Sequence, residues 1–249
     1  MSDMSRKILV VGLQPHDAGK TTLCKALIHG FKKAGVTLVP FKPHSGISYW
    51  SQFDAFQRSL TMSTLISSDI MELEATAQSQ IPMEVLNPVN RLSGPVLDRG
   101  IPEEKLVFQE FMVERFTYHD GLAHKNGYYS NGNVNLAHLR DMQVFYLGIK
   151  RNAQKTSFIR RFEDLVEAYS KNFDKATSSC YRHVKNKSLL VESFNDAGEE
   201  SEVLRNDLHA FAIPEYNSRV WHLEVQSSEQ IQFGQSLGCY LVVMKSCYH

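Results

Sequence analysis

The chain carries no net charge, with 27 Lys and Arg residues against 27 Asp and Glu. That balance argues against a broad electrostatic footprint for nucleic acid and leaves only a local patch as a route to such a partner. Cysteine is scarce: Cys24 and Cys180 stand far apart, and Cys239 and Cys247 are closer together, with no C-x-x-C pair and no zinc-site spacing. The expected state is therefore reduced, mostly buried thiols in a cytosolic protein. Long apolar runs are missing as well. The longest, such as Ile8 to Leu13 and Cys239 to Met244, are far too short to span a bilayer. The polar opening MSDMSRK has no signal-peptide apolar region. These absences predict a cytoplasmic protein with neither nucleic acid nor membrane as partner. No internal repeat, low-complexity tract or interdomain linker stands out, so residues 1–249 are expected to form a single domain.

What is present is organised around Lys7 to Gly35, KILVVGLQPHDAGKTTLCKALIHGFKKAG. An apolar run, Ile8 to Val11, is long enough for one buried strand. A loop follows, then Gly19-Lys20-Thr21-Thr22, then a helical pattern with Leu23, Ala26, Leu27, Phe31 and Ala34 on one face. Strand, loop, Gly-Lys-Thr and helix together form the context of a phosphate-binding loop. Glycine at position 19 lets the backbone approach a phosphate, and successive N–H groups with the helix N-terminus face the anion. Lys20 would reach the outer phosphates and Thr21 would offer its hydroxyl to Mg²⁺. The strict spacing G-x-x-x-x-G-K-[ST] asks for glycine where this chain has Gln14, and the available glycine is Gly12, so the loop is an enlarged variant. The expected nucleotide-binding set is Gly12, His16, Asp17, Ala18, Gly19, Lys20, Thr21 and Thr22.

Val36 to Phe41 reads as a second strand. A strand, a helix and a strand in succession make a βαβ unit and predict a mostly parallel sheet with helices on both faces. Ligands in such sheets sit at the carboxyl ends of the strands, which puts the loop Lys42-Pro43-His44-Ser45-Gly46 near the nucleotide. Position alone leaves Lys42 as either a site residue or a solvated lysine at a strand end.

These residues resemble the dethiobiotin synthetase family, whose relatives include the cobyrinic acid amide synthases. The resemblance rests on Asp17-Ala18-Gly19-Lys20-Thr21, on Ala34-Gly35 and on Phe41-Lys42-Pro43 with Ser45-Gly46 behind it. It implies a P-loop NTPase-type α/β fold that uses ATP and Mg²⁺. It assigns Lys42 to the reacting carboxyl or carbamate. It assigns Asp54, in Phe53-Asp54-Ala55-Phe56-Gln57, to the metal. The strand Ser188 to Glu192 matches the family strand that ends in Val-Glu-Gly-Ala-Gly-Gly, where the Glu binds Mg²⁺, so Glu192 joins Thr21 and Asp54 as a metal ligand. This chain continues Ser193-Phe194-Asn195-Asp196 instead of the family's glycines, with Asp196 an alternative support for the metal. The resemblance is firm over residues 8–57 and supported at 188–192. It also carries the family's common homodimer as an expectation.

Elsewhere the reading is coarser. Residues 51–80 read as helical, interrupted by Ile81-Pro82, and Asn87 to Pro95 as a loop in which Asn90, Arg91 and Ser93 could line a small-molecule site. Residues 103–155 are expected to be a β-rich insertion. It would hold strands over Lys105 to Tyr118 and Met142 to Ile149, with turns at His119-Asp120-Gly121 and Asn131-Gly132-Asn133. His119, Asp120, His124 and His138 fit no standard metal spacing. Thr156 to Lys175 reads as an amphipathic helix capped by Thr156, with Arg160 and Arg161 near its start. Strands are expected at Ala210 to Ile213, Val220 to Val225 and Cys239 to Met244.

Three functions follow. The first is an ATP-dependent ligase or ATPase that transfers the γ-phosphoryl group to a small carboxylate or carbamate, with Lys20 and Lys42 as catalytic cations. The second is a nucleotide-binding adaptor with weak hydrolysis, since the molybdopterin-guanine dinucleotide adaptors also begin with strand, Gly-Lys-Thr-Thr-Leu, helix and lysine. Lys42-Pro43 favours the first, and the absence of Asn-Lys-x-Asp favours ATP over GTP. The third is a P-loop fold that binds no nucleotide and serves as a structural partner.

Overall fold

The computed structural model describes residues 7–11, 19–94, 110–133, 140–194, 204, 210–214, 220–225 and 231–236. In chain order the elements are β1 (Lys7–Val10), α1 (Lys20–Lys33), β2 (Val39–Phe41), β3 (His44–Ser48), α2 (Phe53–Met62), α3 (Ser68–Ala77), α4 (Met83–Leu86), β4 (Val89–Ser93), β5 (Phe111–His119), β6 (His124–Asn131), α5 (Arg140–Asn152), β7 (Lys155–Ile159), α6 (Phe162–Val184), β8 (Leu189–Glu192), β9 (Ala210–Pro214), β10 (Val220–Val225) and β11 (Ile231–Ser236). The class is α/β, with two open sheets of mixed direction. The chain divides into two compact units, one made of 1–43, 72–80 and 184–249, the other of 44–71 and 81–183. The expected insertion at 103–155 is thus one part of a larger second unit. No helix among the described residues is long and apolar enough to cross a membrane.

The first unit holds a sheet in the order β11-β10-β9-β1-β8-β2. β9, β1, β8 and β2 run parallel, and β10 and β11 add antiparallel pairs. The second strand is shorter than its apolar run suggests, beginning at Val39. β1 and β2 are not neighbours, because β8 lies between them. Helix α1 covers one face. Leu23, Cys24, Leu27 and Ile28 pack on Ile8, Val10 and Leu190 in a fully apolar cluster. A buried leucine or isoleucine of this kind contributes about 1.5–3 kcal/mol. The helix ends where Gly35 takes φ 78°. Gly35 N–H donates to Lys32 O and Val36 N–H to Phe31 O, which closes the last turn with its carbonyls satisfied. Lys32 and Lys33 in that turn oppose the negative end of the helix dipole.

The second unit holds a sheet in the order β3-β4-β5-β6-β7. One face, with Ile47, Leu92, Val113 and Tyr128, packs on Phe56 of α2 and on Phe145 and Ile149 of α5. The other packs on α6, where Val89 and Phe116 meet Phe173 and Ala176. A β-bulge opposite Leu92 and Ser93 brings Met112 and Val113 into the same cluster. Beside this irregularity a Cβ on Gly94 would lie 2.6 Å from Met112 Sδ, so a larger residue there would push the Met112 side chain aside.

Several sequence expectations change here. Met142 to Ile149 is not a strand but part of α5. Its aromatic and branched composition suggested β structure, yet Phe145 and Ile149, four apart, are buried while Val144 and Leu147 are exposed, which is helical spacing. Thr156 does not cap a helix. It lies in β7, parallel to β6, and α6 begins at Phe162 and runs to Val184. Phe158 misled the pattern, because it is 60% exposed on the strand. The expected loop at 87–95 contains β4 instead. Asn87-Pro88 read as a breaker, but the strand starts directly after it, and Asn90 is buried and donates to Asn87 Oδ1. The helical stretch 51–80 is two helices, α2 and α3, parted where Ser63 takes φ 53°. The turn at His119-Asp120-Gly121 does join β5 to β6, with Asp120 Oδ1 accepting the N–H groups of Leu122 and Ala123. Those two bonds, with Lys125 beside it, hold the Asp120 carboxyl far below the usual carboxylate range. Strands form at 210–214 and 220–225 as expected, β11 is additional, and Cys239 to Met244 lies outside the described residues.

Two predictions follow from the second unit. Arg115 is fully buried, and its guanidinium donates to the carbonyls of Leu65 and Asn87 and to the Thr117 hydroxyl. Arg115→Met keeps much of the volume but strands those acceptors, so it should cost about 3 kcal/mol or more, read as a lowered urea midpoint. His119 stacks on His183 at 3.9 Å, and its Nδ1 accepts the Gly121 N–H. Desolvation first, then His183, pushes the His119 imidazole below its ordinary pKa. Its folded-state pKa lies below the unfolded one, so the unfolded chain binds the extra proton first and stability falls as pH drops through that window. The midpoint should therefore decline below about pH 6.5, and His119→Asn should flatten the decline.

Candidate functional site

The site is set by strand register. Val10 pairs with Glu192 and Ile8 with Leu190, so Glu192 continues the row of side chains that α1 covers. Phe41 pairs with Val191, and the next residue, Lys42, therefore comes alongside Glu192 at the carboxyl ends of two parallel strands. Lys42 Nζ lies 2.7 Å from Glu192 Oε1. The first turn of α1 sits over the same spot, and Thr21 donates its hydroxyl to Glu192 Oε1 at 3.0 Å. Lys42 is 4% exposed and Glu192 1%, so this ion pair lies in the interior. The solvated-lysine alternative for Lys42 is thereby set aside.

Three sequence-predicted residues, Thr21, Lys42 and Glu192, thus meet within hydrogen-bond distance. Lys20 is buried in the first turn of α1, and Thr22 is exposed beside it. Gly19 precedes the helix at φ 76°, ψ 13°, the left-handed region in which a side chain is strained, and accepts the Leu23 N–H. The helix therefore starts where the Gly-Lys-Thr pattern predicts. Gly12, His16, Asp17 and Ala18 lie outside the described residues, as does Asp196. Asp54 lies in the second unit, exposed in the first turn of α2.

Two buried polar atoms at the end of β8 have no hydrogen-bond partner among the described residues. They are Glu192 Oε2 and Ser193 Oγ. Ser193 is pinned by its N–H to Val10 O. Its hydroxyl is a site feature that the sequence reading passed over, having treated position 193 only as a missing glycine. An unfilled carboxylate oxygen beside a threonine hydroxyl is a fitting donor set for a hard divalent cation, whose remaining positions phosphate oxygens and water commonly fill. Among the described residues no group of three or more His, Cys, Asp and Glu side chains is arranged to hold a metal by itself.

The second unit has its own buried charges. Arg91 on β4 grips Glu114 on β5 with two hydrogen bonds of 3.1 and 3.2 Å, and His44 Nε2 stands 3.8 Å from the same carboxylate. Burial raises the Glu114 pKa and the Arg91 guanidinium opposes the rise. Tyr169 of α6 lies within 3.3 Å of His44 Nδ1. Arg91 is thus committed to Glu114. Asn90 is fully buried and Ser93 closes the strand, so the three residues expected to line a loop are parts of β4. A cavity of 420 Å³ in this unit is bordered by Ser63, Thr64, Glu84, His124, Lys125 and Gln154 among others, and by none of the predicted site residues.

A scan against protein-family models and a search of curated proteins find no match to this chain. The Lys42–Glu192 pair can be tested without any ligand. Lys42→Met leaves a buried carboxylate unpaired and should cost about 3–5 kcal/mol. Adding Glu192→Gln should recover part of that loss, measured by a double-mutant cycle in urea. Purely additive effects would show that the two groups do not share one interaction.

Proposed function

We propose that the chain is an Mg²⁺- and ATP-dependent P-loop enzyme that passes the γ-phosphoryl group to a small carboxylate or carbamate, as its resemblance to dethiobiotin synthetase implies. The observation that carries this reading is the convergence of Thr21, Lys42 and Glu192 at the carboxyl ends of β2 and β8 and the start of α1. These residues come from three separate stretches of sequence, and each is of the type that phosphoryl transfer requires. Bound Mg-ATP would supply the transferable group. Thr21 and Glu192 offer oxygens for the cation, and Lys20 and Lys42 offer positive charge to a phosphoryl group in transit. The N-terminus of α1, opened by Gly19, gives N–H donors to anionic oxygen.

The reading differs from that of a scaffold that binds no nucleotide in one measurable respect. Calorimetry should detect ATP binding that depends on Mg²⁺, and Lys20→Ala should weaken it by at least about tenfold through loss of a charged contact. Thr21→Ala should remove most of the Mg²⁺ dependence while leaving the fold intact. Folded wild-type protein that binds neither ATP nor GTP at millimolar concentration would sink the enzyme reading.

A further inference from the structure

The Lys42–Glu192 pair poses a question of order. A cation that binds Glu192 meets a carboxylate already neutralised by an ammonium group 2.7 Å away. The same oxygen, Oε1, also accepts the Thr21 hydroxyl, whereas Oε2 is buried and without a partner among the described residues. Both candidate ligands of a cation are thus already joined to each other, with Lys42 on the oxygen they share. We propose that Lys42 is a placeholder for the divalent cation: its ammonium occupies Glu192 in the free protein and is displaced when metal arrives together with nucleotide. This inference rests on the reading of the site as an Mg-ATP site and adds to it the order of events and the regulation of metal entry.

Charge explains the order. Glu192 and Lys42 together sum to zero. Adding a bare divalent cation leaves a surplus of two positive charges in an interior that solvates them poorly, which disfavours binding. Metal carried by a triphosphate brings its own negative charge. The anion then offers the displaced ammonium a new partner, so the lysine leaves one oxyanion for another without ever standing unpaired. Glu192 Oε2 gives the incoming cation a first foothold before Oε1 is vacated. Ser193, next in the chain, places at the same strand end a second oxygen that has no partner among the described residues. The device would keep the site closed to free metal and open to the metal–nucleotide complex. Lys42 would thereby be freed only when there is a phosphoryl group to act on.

The test measures Mn²⁺ alone, by electron paramagnetic resonance, without nucleotide. Wild type should bind it weakly. Lys42→Met should tighten it by about tenfold or more, because a positive charge beside the cation is gone, and Lys42→Arg should not. Lys42→Met/Glu192→Gln should lose the gain. Should Lys42→Met fail to fold, the wild type still decides the matter. The ¹H–¹⁵N signal of the Lys42 ammonium should be present in the free protein, unchanged by Mg²⁺ alone, and shifted by Mg²⁺ with ATP. Equal Mn²⁺ affinity in wild type and Lys42→Met, with Mg-ATP still bound, would overturn the exchange and leave the nucleotide reading standing. An ammonium signal that does not move when Mg-ATP binds would do the same. Absence of Mg-ATP binding in the folded wild type would remove both.

Discussion

A carboxylate shut away from water needs a partner, and much of the first unit is arranged around giving Glu192 one. Isolated, such a charge would cost more than a small domain can spare. The partner must be a cation on a neighbouring strand at the same height, which fixes the register of β2 against β8. It must also lie under the start of α1, which fixes where that helix can begin. The left-handed turn at Gly19, the apolar face of α1 and the parallel run of β1, β8 and β2 are all consistent with that single contact. Buried pairs of this kind add little net stability compared with apolar packing.

The second unit keeps charges inside by a different rule. Glu114 and Arg115 are consecutive on β5 and therefore point to opposite faces of the sheet. Glu114 is held by another charge, Arg91, whereas Arg115 is held by main-chain carbonyls and a hydroxyl. The strand is lined by apolar neighbours on both sides, so neither residue has water to fall back on. Tyr118 shows the same economy, with its hydroxyl donating to Asn172 and its phenol pushed well above the ordinary range by burial. Arg91 and Glu114 thus tie two strands together, Arg115 ties β5 to the segments before α3 and β4, and Tyr118 ties the sheet to α6.

How much of this was legible depended on whether the signal was local. The strand, Gly-Lys-Thr and helix series is local, and it located α1 and β1 closely. The strand ending at Glu192 was also visible, because three apolar residues in a row followed by a carboxylate read as a short buried strand. Lys42 could be suspected but not decided, since its burial comes from a strand 150 residues further on. The middle of the chain was misread where packing overrode composition. Val144, Phe145, Leu147 and Ile149 carry strand-like side chains, yet a helix is the arrangement that buries Phe145 and Ile149 together against Phe56. Just before β4, Asn87 bonds to Asn90 and to the Val89 carbonyl and leads into a strand, a use that its Asn-Pro pairing does not reveal. The division into two units was invisible for a related reason. No linker marks it, and the boundary passes through the middle of α3.

The position of β8 between β1 and β2 has a consequence for synthesis. A chain leaving the ribosome makes β1, α1 and β2 first, yet those two strands cannot pair with each other directly. Their shared neighbour emerges only after the whole of 44–183, a delay of about 7–28 s at ordinary elongation rates. The second unit has all of its strands and helices in hand before that strand appears, so it can complete its own core first. In the meantime β1 and β2 are short, apolar and unpaired, which is the condition in which nascent chains attract chaperones or aggregate. The arrival of Leu189–Glu192 pairs both strands, and β9 then covers the other edge of β1. The same few residues that supply the buried carboxylate are thus the ones that join β1 to β2.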